Sequence, residues 1–148
     1  MKKLTKKTAE RKYNIMLKKV IKDMGNGITD NVQLHNYIND KLKFGGIYMV
    51  DEKIPKTKNI SFIINTDTSK GIGEHWCAVY VSLKGHYYIY DSFGRKSSKI
   101  LKPFVKGKIY IDTDSDAEQN INEVNCGQRC IAWLLFRKKY GIYNALQI

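Results

Sequence analysis

His75-Trp76-Cys77-Ala78-Val79-Tyr80-Val81-Ser82-Leu83-Lys84-Gly85-His86-Tyr87-Tyr88-Ile89-Tyr90-Asp91 is the stretch that decides the fold class. Over residues 76–83 both alternating sets of side chains are mostly apolar, which marks a strand covered on both faces. Lys84-Gly85 supplies a turn, and residues 86–90 return as a second, aromatic strand. Outward from this hairpin, residues 60–65 form a short β-rich run before it, and residues 108–112 form a last strand candidate after it. Helical spacing occupies the two ends of the chain. Leu4, Ile15, Met16, Leu17, Val20 and Ile21 define one basic amphipathic helix over residues 4–24, stopped by Gly25 and Gly27. Thr29 or Asp30 caps a second helix running to about residue 43, with Val32, Leu34, Ile38 and Leu42 inward and Gly45-Gly46 as the turn that stops it. Asn125 caps a third over residues 126–140, whose Ile131, Ala132, Leu134 and Leu135 belong in a core. Helices, then strands, then a helix, with no repeat or linker, predict one α+β domain over residues 1–148: a small mixed or antiparallel central sheet flanked by helices.

Composition limits what such a domain can be. At 148 residues and 17.1 kDa the chain is long enough to bury about two thirds of the surface its unfolded form exposes, so no metal or disulfide staple is needed. No run of 18 apolar residues is present, which excludes a membrane-spanning helix. The N-terminus lacks the apolar block of a secretory signal, so the chain is expected to stay in the cytosol or nucleus. Three cysteines, Cys77, Cys126 and Cys130, have the wrong parity for a disulfide framework and suit a reducing compartment. The net charge of +12 is unevenly placed, because residues 1–22 hold nine Lys/Arg against Glu10 alone. A surface this basic attracts nucleic acid or another polyanion by counterion release, without reading sequence.

Cys126 is the residue on which chemistry turns. Asn125-Cys126-Gly127 puts its sulfur where an irregular segment enters an apolar helix, and there unpaired N–H groups and the positive helix end favour thiolate over thiol. Alone, a cysteine at a helix start is more often a packing residue. His75 follows Gly73-Glu74 and precedes the central strand, which sets its imidazole at a strand edge bordering solvent, as a candidate base. His35 and His86 read as structural or surface residues. Asp91 ends the second hairpin strand, and antiparallel pairing brings it beside the start of the first, where it can fix the tautomer of His75. Singly, Asp91 is a turn residue ahead of Gly94. Gln119, seven residues before Cys126, can donate to an oxyanion together with the Cys126 backbone N–H.

Taken together, Phe62-Ile63-Ile64-Asn65-Thr66-Asp67 through Gly73-Glu74-His75-Trp76, then Tyr90-Asp91-Ser92-Phe93-Gly94, then Gln119 with Asn125-Cys126-Gly127, resemble the adenain-like cysteine proteases. These are the maturation proteases of adenoviruses and their relatives in large DNA viruses and virophages, in a clan shared with the ubiquitin-like-protein proteases. The resemblance extends over roughly residues 15–137, through Ile21-Lys22-Asp23-Met24-Gly25 and Gly46-Ile47-Tyr48. It implies Cys126 as nucleophile, His75 as general base and acid, Asp91 as orienting carboxylate, Gln119 as oxyanion donor, and Trp76 as the aromatic that lines the substrate site. Asp91 stands where the adenovirus enzyme carries Glu. The resemblance further implies cleavage of viral capsid or core precursors at Gly-containing sites during virion maturation. It implies action in the virion and in host-cell cytoplasm or nucleus, no metal or organic cofactor for the chemistry, and activation by DNA or a peptide. DNA binding falls to the basic N-terminal helix.

Several rival readings share these residues. An isopeptidase acting on ubiquitin-like modifiers, which also end in Gly-Gly, is the alternative within enzymes, and a basic nucleic-acid-binding module is the alternative outside them. The second explains the charge but not the set His75, Asp91, Gln119 and Cys126. Asp112, Asp114, Asp116 and Glu123 match positions 1, 3, 5 and 12 of an EF-hand loop, but Ala117 replaces the turn glycine and a strand precedes the run, so a solvated acidic loop is expected. Cys126 and Cys130 share a helix face, yet no second ligand pair completes a zinc site, and Cys77 and Cys130 read as core residues.

Overall fold

The computed structural model describes residues 2–54 and 56–148; Met1, with which the N-terminal reading begins, lies outside them. The hairpin forms the middle of a five-stranded mixed sheet. β1 (Phe44–Met49), β2 (Ile60–Asn65), β3 (Trp76–Val81), β4 (Tyr87–Tyr90) and β5 (Tyr110–Asp112) lie side by side in chain order. β2, β3 and β4 pair antiparallel, while β1 and β5 join the two edges in parallel. Among the described residues six helices complete the α+β architecture: α1 (Lys6–Met24), α2 (Asn31–Ile38), α3 (Ser97–Ile100), α4 (Lys102–Val105), α5 (Cys126–Tyr140) and α6 (Ile142–Ala145).

Alternation along the strands divides the core in two. Ile63, Ala78, Tyr88 and Tyr90 face a layer formed by α1, α2, α5 and α6, whereas Phe62, Ile64, Cys77, Val79 and Ile89 face Leu101, Phe104 and Val105 around α3 and α4. This is why the residue 76–83 run is apolar on both sides. Tyr90 pins the first layer to the sheet: its hydroxyl lies 2.7 Å from that of Tyr13 on α1, and its ring stacks on Trp133 of α5 at 5.5 Å.

Several local expectations are corrected. α2 ends at Ile38, and Gly45-Gly46 is not the turn that stops it but part of β1, where the register against β2 shifts between Phe44 and Ile47. A bulge of this kind accepts glycines and erases the period-2 signal. Leu42 is still buried, reached through a turn, but Val32 and Ile15 are 59% and 63% exposed, and Ala9 and Tyr13 take inward positions on α1 instead. Asp30, and not Thr29, caps α2 through a reciprocal pair with Gln33. Asn125 precedes α5 without capping it by its side chain, which accepts from Arg129 Nε at 3.0 Å. The short helices α3, α4 and α6 carry too few turns to show a period.

Candidate active site

Three element ends meet at one point. Ala78 pairs with Tyr90 across the hairpin, so the residue before β3, His75, and the residue after β4, Asp91, come together. His75 Nε2 lies 2.6 Å from Asp91 Oδ1. The start of α5 delivers Cys126 to the same imidazole, because α5 packs on β3 with Gly127 against α2. A Cβ on Gly127 would collide with Thr29 Oγ1 and come within 2.8 Å of Leu34 Cδ2, so glycine after Cys126 permits the approach. His75 is itself held from behind. Its carbonyl accepts from Thr66 N, and the buried Asn65 side chain accepts from the N–H groups of Asp67 and Glu74, fastening the loop that leads into it.

Asp91-Ser92-Phe93-Gly94 is explained residue by residue. The Asp91 carboxylate is 4% exposed and accepts from His75, from Phe93 N, and from both the backbone N and Nε of Arg95 at 3.0 and 2.9 Å. Burial opposes its ionisation, but the bonds and charges of His75 and Arg95 outweigh it and hold its pKa below the usual carboxylate range. Ser92 Oγ donates to Gln119 Oε1 at 2.6 Å, and its carbonyl accepts from Glu118 N and Gln119 N. Phe93 lies against the imidazole with ring centroids 5.0 Å apart. Gly94 adopts φ +68°, and a Cβ there would meet the Ser115 and Asp116 carbonyls at 2.7 Å.

Two sulfurs approach the imidazole, and burial separates them. Cys77 on β3 is fully buried; desolvation raises its pKa despite hydrogen bonding to His75, which keeps it a thiol. Cys126 is half-buried in the wall of a cleft. Desolvation opposes its ionisation too, but the hydrogen bond and charge of His75 and the N–H groups of Trp76 and Gly127 prevail, and its pKa falls below that of an ordinary thiol. His75 loses by burial and gains more from Asp91 and then Cys126, so its pKa is raised. With Nε2 donating to the Asp91 carboxylate, Nδ1 remains for proton exchange.

The cleft has a volume of about 600 Å³ and is lined by all of the sequence-selected residues except Asp91, which stands behind His75. Trp76 is half-buried there, with Nε1 donating to the Thr29 carbonyl at 3.2 Å. Gln119 is buried; the Glu123 carbonyl, which can only accept, fixes which end of its carboxamide is nitrogen and takes one of the two Nε2 protons at 2.7 Å, while Oε1 accepts from Ser92. One expectation is narrowed: His75 is only 7% exposed, packed by Phe93 and Asp91, and borders solvent only through the cleft. Ser92, Phe93 and Arg95 escaped sequence reasoning as site residues, although Ser92 and Phe93 stand in the quoted motif. Arg95 carries no signal beyond its nearness to Asp91.

Other clusters resolve differently. Among the described residues, the groups able to gather around a metal ion are His75, Cys77 and Asp91, and the loop residues Asp114, Asp116 and Glu118. The Lys6 ammonium of α1 binds both Asp114 and Asp116. Asp112 accepts from Ser97 N and Glu123 pairs with Arg129, so the ends of the EF-hand-like run point elsewhere. Among the described residues no helix is long and apolar enough to cross a membrane. Compared with known proteins, the chain matches no family model and no curated protein sequence.

Proposed function

We propose that the chain is a cysteine endopeptidase of the adenain-like kind, acting through Cys126. The observation that carries this reading is the buried Asp91–His75 pair with the half-buried Cys126 thiol, its pKa lowered by that imidazole, at a helix N-terminus in the same cleft. His75 imidazolium stabilises the Cys126 thiolate, which attacks a peptide carbonyl carbon. The tetrahedral oxyanion accepts from the second Nε2 proton of Gln119 and from the Cys126 backbone N–H. As the C–N bond breaks, His75 gives its proton to the leaving amine; a water molecule, deprotonated by His75, then attacks the thioester, releasing a carboxylate and the thiolate. Asp91 keeps the imidazole oriented and favours its charged form.

The motif resemblance supplies the substrate class: viral capsid or core precursors cut at Gly-containing sites, in the virion or the infected cell. Trp76 and Thr29, joined by the Trp76 Nε1 hydrogen bond, both line the cleft, and an indole in its wall suits small residues near the scissile bond. A second surface suits a polyanion. Lys7, Arg11, Lys18 and Lys22 are all exposed and follow the helical repeat along one face of α1. The reading is tested with a fluorogenic library of Gly-containing peptides, with and without DNA. Hydrolysis by the native protein and its loss by at least about 10³-fold in Cys126→Ala is the expected result. Hydrolysis unchanged by that substitution overturns it, as does a native protein inert under all conditions.

A further inference from the structure

The protein carries +12, yet its cleft is acidic. Asp30, Glu52, Glu74 and Glu123 line it, and no Lys or Arg does; the neighbours Lys53 and Lys70 are absent from its wall. Glu123 is spent locally, accepting from Asn120 N and Arg129. The other three keep acceptor capacity. Asp30 gives Oδ1 to the α2 cap and Glu52 gives Oε1 to Met49 N, leaving one oxygen each, while Glu74 is exposed and among the described residues has no side-chain partner.

These carboxylates do not form a metal site, for Asp30, Glu52 and Glu74 are not among the groups whose ligand atoms gather within 4.8 Å. They are spread along the cleft, as an extended ligand with several positive charges requires. Ile28, Ile72 and Val124, all exposed, border the same cleft and offer contact to apolar side chains between those charges. At physiological ionic strength, charges act strongly only within about 8 Å, so the cleft's own carboxylates outweigh the distributed positive charge of the rest of the surface.

We infer that the cleft selects polypeptide segments carrying Lys or Arg on either side of the Gly-containing scissile sequence, with Glu74, Glu52 and Asp30 as the specificity-determining residues. The inference rests on the endopeptidase reading for the scissile bond, but the charge preference is readable by binding alone. It is tested in the Cys126→Ala protein by fluorescence anisotropy, with labelled peptides that share an apolar Gly-Gly core and differ only in flanking Lys, norleucine or Glu. The Lys peptide is expected to bind about tenfold more tightly than the Glu peptide. That ratio is expected to fall by about threefold or more when Glu52→Gln and Glu74→Gln are added, two exposed positions where folding is checked by thermal melting. Equal affinities, a ratio unchanged by the two substitutions, or no binding of the Lys peptide overturns the inference. Hydrolysis by the native protein without charge preference removes this inference alone, whereas charge-selective binding without hydrolysis removes the protease reading and leaves the acidic, cation-selecting cleft.

Discussion

Asp91 and Ser92 are consecutive, yet they serve different halves of the proposed reaction. Asp91 acts on the imidazole, and Ser92 acts on the carboxamide that faces the oxyanion. Their substitutions therefore separate. The thiolate forms above the pKa of Cys126 and the imidazolium survives below the pKa of His75, so the ion pair occupies the window between them. The lowered Cys126 and raised His75 values widen that window on both sides. Asp91→Asn removes the charge that raises His75, narrows the window from its alkaline side, and should reduce kcat by about 10²-fold or more, with slower alkylation of Cys126 at pH 6. Ser92→Ala frees Gln119 and should reduce kcat by about tenfold with KM and Cys126 alkylation unchanged. Equal loss of alkylation in both variants would contradict this division. His75, Asp91 and Cys126 were legible in the sequence because each sits where an apolar run begins or ends. The donors around them were not: Arg95 and Ser92 act through side-chain geometry that leaves no periodic trace.

At the scale of elements, the loop over residues 112–119 joins α1 to the site. Lys6 binds its acidic side, Gly94 admits its backbone, and Gln119 ends it. Glu118 is half-buried, with Oε1 buried and unpartnered, and burial followed by Asp116 pushes its pKa up to about 10. The folded protein thus keeps a proton that the unfolded chain releases above its ordinary carboxyl pKa, so Glu118 weakens the fold progressively as pH rises from about 4.5 to about 10. Glu118→Gln should flatten that decline, seen as a Tm that falls less between pH 6 and 9 than in the native chain; identical pH profiles contradict a protonated Glu118. Gly127→Ala should destabilise by roughly 1–3 kcal/mol, through the collision with Thr29 and Leu34, as read by denaturant unfolding. β2, β3, β4 and α5 were legible from their apolar runs and turns. β1 was hidden because Gly45-Gly46 imitates a stop, and because all six of its residues are only half-buried and leave no alternation.

At the scale of the molecule, charge is segregated: cations follow the exposed face of α1, and carboxylates line the cleft. Replacing Lys7, Arg11, Lys18 and Lys22 by Gln should lower the slope of log affinity for double-stranded DNA against log salt by about 3, without reading sequence. An unchanged slope would move the polyanion site off α1. The α+β class and the order of the elements that were read followed from the sequence, since a run apolar on both faces must be covered twice. The placement of helices on each face did not, because α3, α4 and α6 have no readable period. The proposed chemistry converges on one thiol. Limiting iodoacetamide at pH 6, 7 and 8, mapped by peptide mass in the native protein and in His75→Ala, measures it against Cys77 and Cys130 in the same chain. Cys126 should react far faster than both at pH 6 and lose that advantage without His75. If Cys126 reacts no faster than the buried pair, or keeps its rate in His75→Ala, the thiolate–imidazolium pair does not exist.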